Sequence, residues 1–383
     1  MKENSSALWS EYIIDGVRMD TTPGAMLQRA CDAGEYAPEE PSGQIIDESI
    51  DPSPVSASQL DRDPFSYLSL MRRARSREVP VANCDAFTQG RMATALLDAI
   101  WKEGHFRLGD LALSICWRWN GDRLGNMAAF YSSVESACDT ADDVGICLRD
   151  CKLISSPELG IEVKAALSGV TQSFDEADGE DELFFEELPF QTEHPHMKDR
   201  RKCPLKASGK EGNWIIYIPF DTCPHNLGGS LLAQVTSEPC GKAVELESPD
   251  YFIDCYEVVR ELVEDGIAVS GITISDGGLL QALRLMVPEN AGFDAEFGDV
   301  MKSYGETELA RLLFSELPGV LLEITADDYD YIDAELLLQD VAYYPLGAFK
   351  AGGKGLRLLS GESNGISGIL HSLLNVQVSE GED

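Results

Sequence analysis

Apolar residues recur along this chain at two spacings, and polar stretches between them divide it into blocks. From about Asp63 the pattern is that of a folded unit. VPVANC (79–84), LALSIC (111–116), VGICL (144–148) and IEVKAALSGV (161–170) predict strands. RMATALLDAIWK (91–102) and MAAFYSSVESACDTADD (127–143) carry apolar residues at helical spacing. A second block predicts strand NWIIYI (213–218), a helix after Gly228, helix YFIDCYEVVRELVED (251–265) and strand IAVSGIT (267–273). It continues with a helix from Gly278, helix ETELARLLFSEL (306–317) and strand VLLEI (320–324). Strands alternating with helices predict α+β or α/β layers.

The polar stretches set the domain boundaries. Residues 1–62 predict an acidic, partly disordered appendage, because the Pro-, Ser- and acid-rich run 35–58 offers little apolar area to bury. Residues 63–173 form a first domain and 213–347 a second. Between them, 174–212 turns from acidic to basic and holds three prolines, which predicts a charged linker. The Gly/Ser-rich residues 348–383 predict a loosely packed tail. The stretches 30–62 and 174–210 are expected to be more mobile than the rest.

Charge narrows the function classes. Lys+Arg number 30 against 66 Asp+Glu, a formal net charge of −36. Such a surface repels phosphate backbones and anionic lipid, so neither nucleic acid nor a membrane is expected as a partner. No apolar run reaches the roughly 18 residues of a membrane span, and the N-terminus lacks a signal-peptide core. Ten cysteines occur with no C-x-x-C pair. Most lie in apolar stretches, as Cys116, Cys147 and Cys255 do, which predicts a reducing, cytoplasmic location. His194, His196, Cys203 and Glu193 match no standard metal spacing. No Cys-His or Ser-His-Asp constellation is recognisable, so no nucleophilic catalytic residue is assigned.

Three segments of the second block carry candidate chemistry. Asn226-Leu227-Gly228-Gly229-Ser230 opens an apolar helix. Ser275-Asp276-Gly277-Gly278 lies between a strand and a helix, and Leu313-Phe314-Ser315-Glu316 ends a helix before Pro318-Gly319. Paired glycines at a strand-to-helix turn let the backbone approach a ligand and aim N–H groups at an anion. The same glycines equally serve turn geometry and packing. Asp276 complements a helix dipole or binds metal, and Glu316 is a site carboxylate or a surface acid.

In this order and spacing the segments resemble the aminoimidazole-ribonucleotide-synthetase-like module, most closely the second such module of large phosphoribosylformylglycinamidine synthase. Family members carry L-G-G-S-x-L-A-Q-V, H-D-x-S-D-G-G-L and L-F-x-E segments. Pro80-Val81-Ala82-Asn83-Cys84 resembles the family's P-V-A-D-C strand, and Leu113-Ser114-Ile115-Cys116-Trp117 its L-S-x-N-W strand. Val144-Gly145-Ile146-Cys147-Leu148 with Lys152 resembles the strand leading to G-K-D-S. The resemblance spans residues 63–347. It implies a synthetase-like two-domain module: an N-terminal half-barrel α+β domain and a C-terminal α/β/α domain. It also implies ATP- and glutamine-dependent ligase chemistry, in which carboxylates and an Asn hold Mg²⁺ against phosphate.

Carried over residue by residue, the metal ligands are replaced. The Asp of P-V-A-D-C is Asn83, and the helix Glu and Asn fall on Ala95 and Ala99. The H-D pair falls on Ile272 and Thr273, and after Lys152 the Asp and Ser are Leu153 and Ile154. No metal site is therefore assigned. Lys152, Gly228, Gly229, Ser275, Gly277 and Gly278 remain as a vestigial nucleotide phosphate site. No resident cofactor is expected, with ATP or ADP lacking tightly held Mg²⁺ the ligand left open. The expected function is a catalytically degenerate scaffold or interaction protein of purine-biosynthetic ancestry. The alternative is an ATP-binding subunit or fragment of an active synthase completed by other chains. The expected partner is a second copy, or a synthetase-like or glutaminase-bearing chain. It is expected to pair through an apolar face left open by the strands at 79–84, 111–116, 144–148 and 161–170.

Overall fold

Two sheets share one helix between them. A computed structural model describes residues 7–31, 64–71, 79–121, 123–168, 203–236 and 241–359. The acidic run 35–58, the linker residues 174–202 with His194 and His196, and the final residues 360–383 lie outside it. The first half comprises β1 (Ile13–Ile14), β2 (Val17–Arg18), α1 (Pro23–Ala30), α2 (Pro64–Met71), α3 (Cys84–Lys102), β3 (Leu111–Trp119), α4 (Asn126–Val144), β4 (Cys147–Ser155) and β5 (Gly160–Leu167). Strands β3 to β5 make a three-stranded sheet in the order β4-β3-β5, with β4 parallel and β5 antiparallel to β3.

Alternation along β3 separates two faces. Leu111, Leu113, Ile115, Trp117 and Trp119 point into a core shared with α3 and α4. Ala112, Ser114, Cys116 and Arg118 point the other way. Register places Arg149 and Lys152 of β4, and Glu162 and Lys164 of β5, beside them. Arg118 and Lys164 both bridge Glu162, at 3.2 and 3.4 Å. The apolar face expected to drive pairing is thus the covered one, and the outer face is charged. A charge at Leu113 would break the core rather than an interface.

VPVANC is not a strand. Val81–Asn83 form a single 3₁₀ turn and α3 begins at Cys84. The apolar spacing of α3 extends back through Phe87 and Cys84, so helix packing overrides six residues of β-like composition. The Thr88 hydroxyl donates to the Cys84 carbonyl at 2.7 Å within that first turn.

The second half comprises β6 (Trp214–Pro219), α5 (Leu231–Thr236), α6 (Pro249–Asp265), β7 (Ser270–Ile274), α7 (Gly278–Met286), β8 (Gly292–Glu296), α8 (Gly298–Tyr304), α9 (Leu309–Phe314), β9 (Gly319–Ile324), α10 (Tyr329–Leu338), β10 (Tyr344–Lys350) and β11 (Gly355–Leu359). Its sheet runs β11-β8-β10-β6-β9-β7, and only β11 and β8 are parallel. Both faces are buried. Ile216, Ile218, Val320 and Leu322 pack towards α6, while Ile215, Tyr217, Leu321 and Ile274 pack towards α7 and α9. This is the expected α/β/α layering.

Three segments depart from their composition. Residues 7–31 belong to the first core, with Leu8, Tyr12 and Leu27 buried beside α4 and β4. Helix α2 packs with the second half, its Tyr67 ring lying 5.9 Å from that of Phe314. Residues 344–359, expected to lead into a loose tail, form two strands of the six-stranded sheet. Asp294 of β8 pins them, accepting from Lys350 Nζ and Arg357 Nε at 2.7 Å each. Such cross-strand charge pairing cannot be read from a Gly-rich stretch. No helix among the described residues is long and apolar enough to cross a membrane.

Candidate functional site

Helix α3 brings the two halves together. Trp101, buried at its C-terminal end, donates from Nε1 to Thr273 Oγ1 of β7 at 2.9 Å. Its ring also lies over Gly271, where any Cβ would fall 2.5 Å from ring atoms. The other end of α3 faces the two Gly-Gly turns across a cleft of about 570 Å³. Asn83, Phe87, Arg91, Gly228, Gly229, Ser275, Asp276 and Glu316 are among its walls.

Each glycine there answers a steric demand. At Gly228 a Cβ would sit 2.3 Å from the Gly241 carbonyl oxygen, so only glycine lets the two backbones approach. Its N–H donates to the Lys242 carbonyl at 2.7 Å. Gly277 and Gly278, with φ of 81° and 69°, turn β7 into α7 through left-handed conformations.

Two backbone donors of these turns share one carboxylate. Glu316 Oε1 accepts from Leu231 N and from Gly277 N, each at 3.0 Å. One carboxylate thereby joins the starts of α5 and α7. Ser230 Oγ accepts from Ala233 N at 3.2 Å. Asp276 is held by Arg91, whose Nη1 lies 3.3 Å from Oδ1. The Arg91 guanidinium in turn sits 5.4 Å from the centre of the Phe87 ring.

Of the sequence-assigned site residues, Gly228, Gly229 and Ser275 line the cleft, and Gly277 and Gly278 stand behind it at the α7 turn. Lys152 does not join them. It lies on the outer face of β4 opposite Cys116, whereas α3 and the cleft lie on the inner side. Period-2 alternation after an irregularity in β4 decides this, and the sequence does not reveal that irregularity. Arg91 and the bridging role of Glu316 are the features sequence reasoning missed. The only signal for Arg91 was a lone cation on the cleft-side end of an apolar helix.

Asn83 keeps an amide oxygen on the cleft wall, but the other residues at the family's metal positions do not fit Mg²⁺. Ala99, Ile272 and Thr273 are buried, and Thr273 Oγ1 is used by Trp101. Ala95, Leu153 and Ile154 supply no side-chain oxygen. Among the described residues no group of three or more His, Cys, Asp or Glu is placed to hold a metal.

His225, one residue before Asn226, is buried against Tyr304 with ring centroids 4.4 Å apart. Burial pushes its imidazole down to about 4. In the unfolded chain it titrates near 6.5, so between these values the unfolded state takes up the extra proton. Stability is therefore retained above about pH 6.5 and falls as pH falls towards 4. The loss attributable to His225 is about 2 kcal/mol between pH 7 and pH 5. Urea denaturation of the wild type and His225→Phe at both pH values should differ by that amount. Equal slopes would mean that the imidazole is not desolvated.

With this geometry in view, comparisons with known proteins locate the chain. No protein-family model matches it. A probable phosphoribosylformylglycinamidine synthase of Arabidopsis thaliana is 30% identical over 144 residues, 37% of this chain and 10% of the plant protein. The human phosphoribosylformylglycinamidine synthase is 28% identical over 115 residues, 30% of this chain and 8% of that protein. The chain thus aligns with about a tenth of the length of these curated relatives. The solved structure of Thermotoga maritima PurL complexed with FGAR matches 74% of this chain and 42% of its own, at 13% identity and a TM-score of 0.50. The fold is that of an aminoimidazole-ribonucleotide-synthetase-like module. Within that class, about a third of the chain is similar in sequence to phosphoribosylformylglycinamidine synthases.

Proposed function

We propose that this chain is a catalytically degenerate member of its family, a module of purine-biosynthetic ancestry that works as a scaffold or interaction protein. One observation carries the reading. Where the resemblance calls for metal ligands the chain carries Ala95, Ala99, Ile272, Thr273, Leu153 and Ile154, and Asp276 beside the second Gly-Gly turn is paired with Arg91. These replacements offer no carboxylate to hold Mg²⁺ against a nucleotide phosphate. The proposed partner is a synthetase-like or glutaminase-bearing chain. The charged outer face of the three-stranded sheet offers little apolar area for pairing with a second copy.

Purified full-length protein with ATP and Mg²⁺ is expected to release no phosphate above background. Titration calorimetry is expected to give no Mg²⁺-dependent heat. Mg²⁺-dependent hydrolysis that disappears in Asp276→Ala would overturn the reading and support an active subunit instead.

A further inference from the structure

The junction of the N-terminal segment with the first sheet holds a pair of thiols outside the cleft. Cys31 ends α1, its N–H donating to the Leu27 carbonyl at 2.9 Å, and it pairs as an isolated parallel bridge with Leu148 of β4. Parallel partners point their side chains to the same face, so Cys31 faces the core as Leu148 does.

Three residues further along β4 the register breaks. Ser114 pairs with Arg149 and Cys116 with Lys152, so Asp150 and Cys151 together oppose Ile115. Asp150 takes the extra turn at φ 46°. In an unbroken strand Cys151 would share the outer face with Arg149, since odd positions alternate with Leu148. The bulge re-aims it inward, onto the side that Cys31 faces. Both side chains are buried, and the two thiols are hydrogen-bonded to each other.

The pair is polarised. The hydrogen bond from Cys151 lowers the Cys31 thiol below its ordinary value, against opposing contributions from burial and Asp150. The same bond and burial raise Cys151. Cys138 of α4 lies near Cys31, but burial pushes it up to about 12. The bond thus favours loss of the Cys31 proton and retention of the Cys151 proton, the asymmetry that thiol oxidation uses.

We propose that Cys31 and Cys151 form a reversible disulfide under mild peroxide oxidation, tethering the N-terminal segment to β4. The Cys31 sulfur attacks one peroxide oxygen, the O–O bond breaks, and hydroxide leaves to be protonated to water. Cys31 is now a sulfenic acid. The Cys151 sulfur then attacks the Cys31 sulfur, the S–O bond breaks, and hydroxide departs with the Cys151 proton as a second water. Two thiols and one hydrogen peroxide become one disulfide and two waters. A dithiol reductant reverses the bond.

The test uses full-length protein treated with equimolar hydrogen peroxide, quenched with catalase, alkylated and mapped without reduction. A Cys31–Cys151 linked peptide is expected, with intact mass lower by two hydrogen atoms and Tm raised by about 5 °C. Both changes should disappear on reduction. C31S and C151A should each abolish the linked peptide and the Tm shift, and C138S should leave both. Because Cys151 is fully buried, C31S is the decisive variant if C151A folds poorly. Conversion of Cys31 to sulfinic acid without a cross-link would overturn the proposal. So would a cross-link of Cys31 to any other cysteine.

Discussion

Replacing Glu323 by Ala is expected to destabilise the protein by about 3–5 kcal/mol. Glu323 lies in the middle of the second sheet on β9 and is fully buried, yet no cation neutralises it among its hydrogen-bond partners. Four neutral groups hold it instead. Ser208 N donates to Oε2 at 2.7 Å and Asn213 Nδ2 to Oε1 at 2.9 Å, with the hydroxyls of Ser208 and Ser270 completing the set. Hydrogen bonds to an ionised acceptor contribute more than neutral ones, roughly 1.5–3 kcal/mol each. Removing the carboxylate leaves a backbone N–H and an amide buried without an acceptor, and it opens a cavity. It also frees the 203–213 loop where it joins the sheet. Urea denaturation should shift its midpoint with little change in slope. Glu323→Gln, which keeps the shape but sets an NH₂ against one of these donors, should lose about half as much. A loss below about 1 kcal/mol for the Ala variant would mean that the four bonds are not formed together.

Gly278→Ala is expected to cost about 3–5 kcal/mol, for a reason that lies in the backbone. Gly278 has φ of 69°, a conformation that disfavours any Cβ. The added methyl would also lie 2.6 Å from the Ser315 carbonyl oxygen, 2.7 Å from that of Leu313 and 2.8 Å from the Phe314 carbonyl carbon. These are main-chain atoms of α9 and its C-terminus, and they cannot rotate aside. Relief would require α7 and α9 to part, pulling Glu316 from the Gly277 and Leu231 N–H groups. Gly90→Ala is the control. Gly90 sits within α3 with no atom near its missing Cβ, so it should be neutral or stabilising by about 0.5–1 kcal/mol. Thermal denaturation of the two variants side by side separates the steric effect from a general intolerance of alanine. Equal stability would show that the α7 turn is not packed against α9.

These two sites bear on function as well as stability. Gly278 positions the turn whose N–H groups Glu316 occupies, and Glu323 secures the sheet from which β7 carries that turn towards α3. At Gly228 and Gly278 the glycine answers to backbone contacts, a demand that stands whether or not a ligand binds.

Much of the second block was legible from spacing alone. NWIIYI and VLLEI became β6 and β9, and the 251–265 helix differs from α6 only at its first turn. Both are long apolar patterns whose burial on one or two faces leaves little choice of conformation. The Gly-Gly turns were legible for the same kind of reason, since glycine before an apolar helix marks a close approach whatever it serves. Local composition failed where distant partners decide. VPVANC has the residues of a strand, but α3 and its core claim them for a helix. The Gly-rich residues after Leu346 carry no strand signal, yet Asp294 and the free edge of β8 draw them into the sheet. Lys152 follows a Lys-bearing motif, but the bulge at Asp150–Cys151 fixes which face it occupies. Sequence by itself determined the two-block α/β layering, the family likeness and which residues stand at the family's metal positions, because residue type and short-range period suffice for these. Only the tertiary structure decided that Glu316 joins the starts of α5 and α7, that Arg91 pairs with Asp276 and that Cys31 meets Cys151. Each joins residues far apart in sequence, and their contact depends on register, bulge and helix packing that no local pattern encodes.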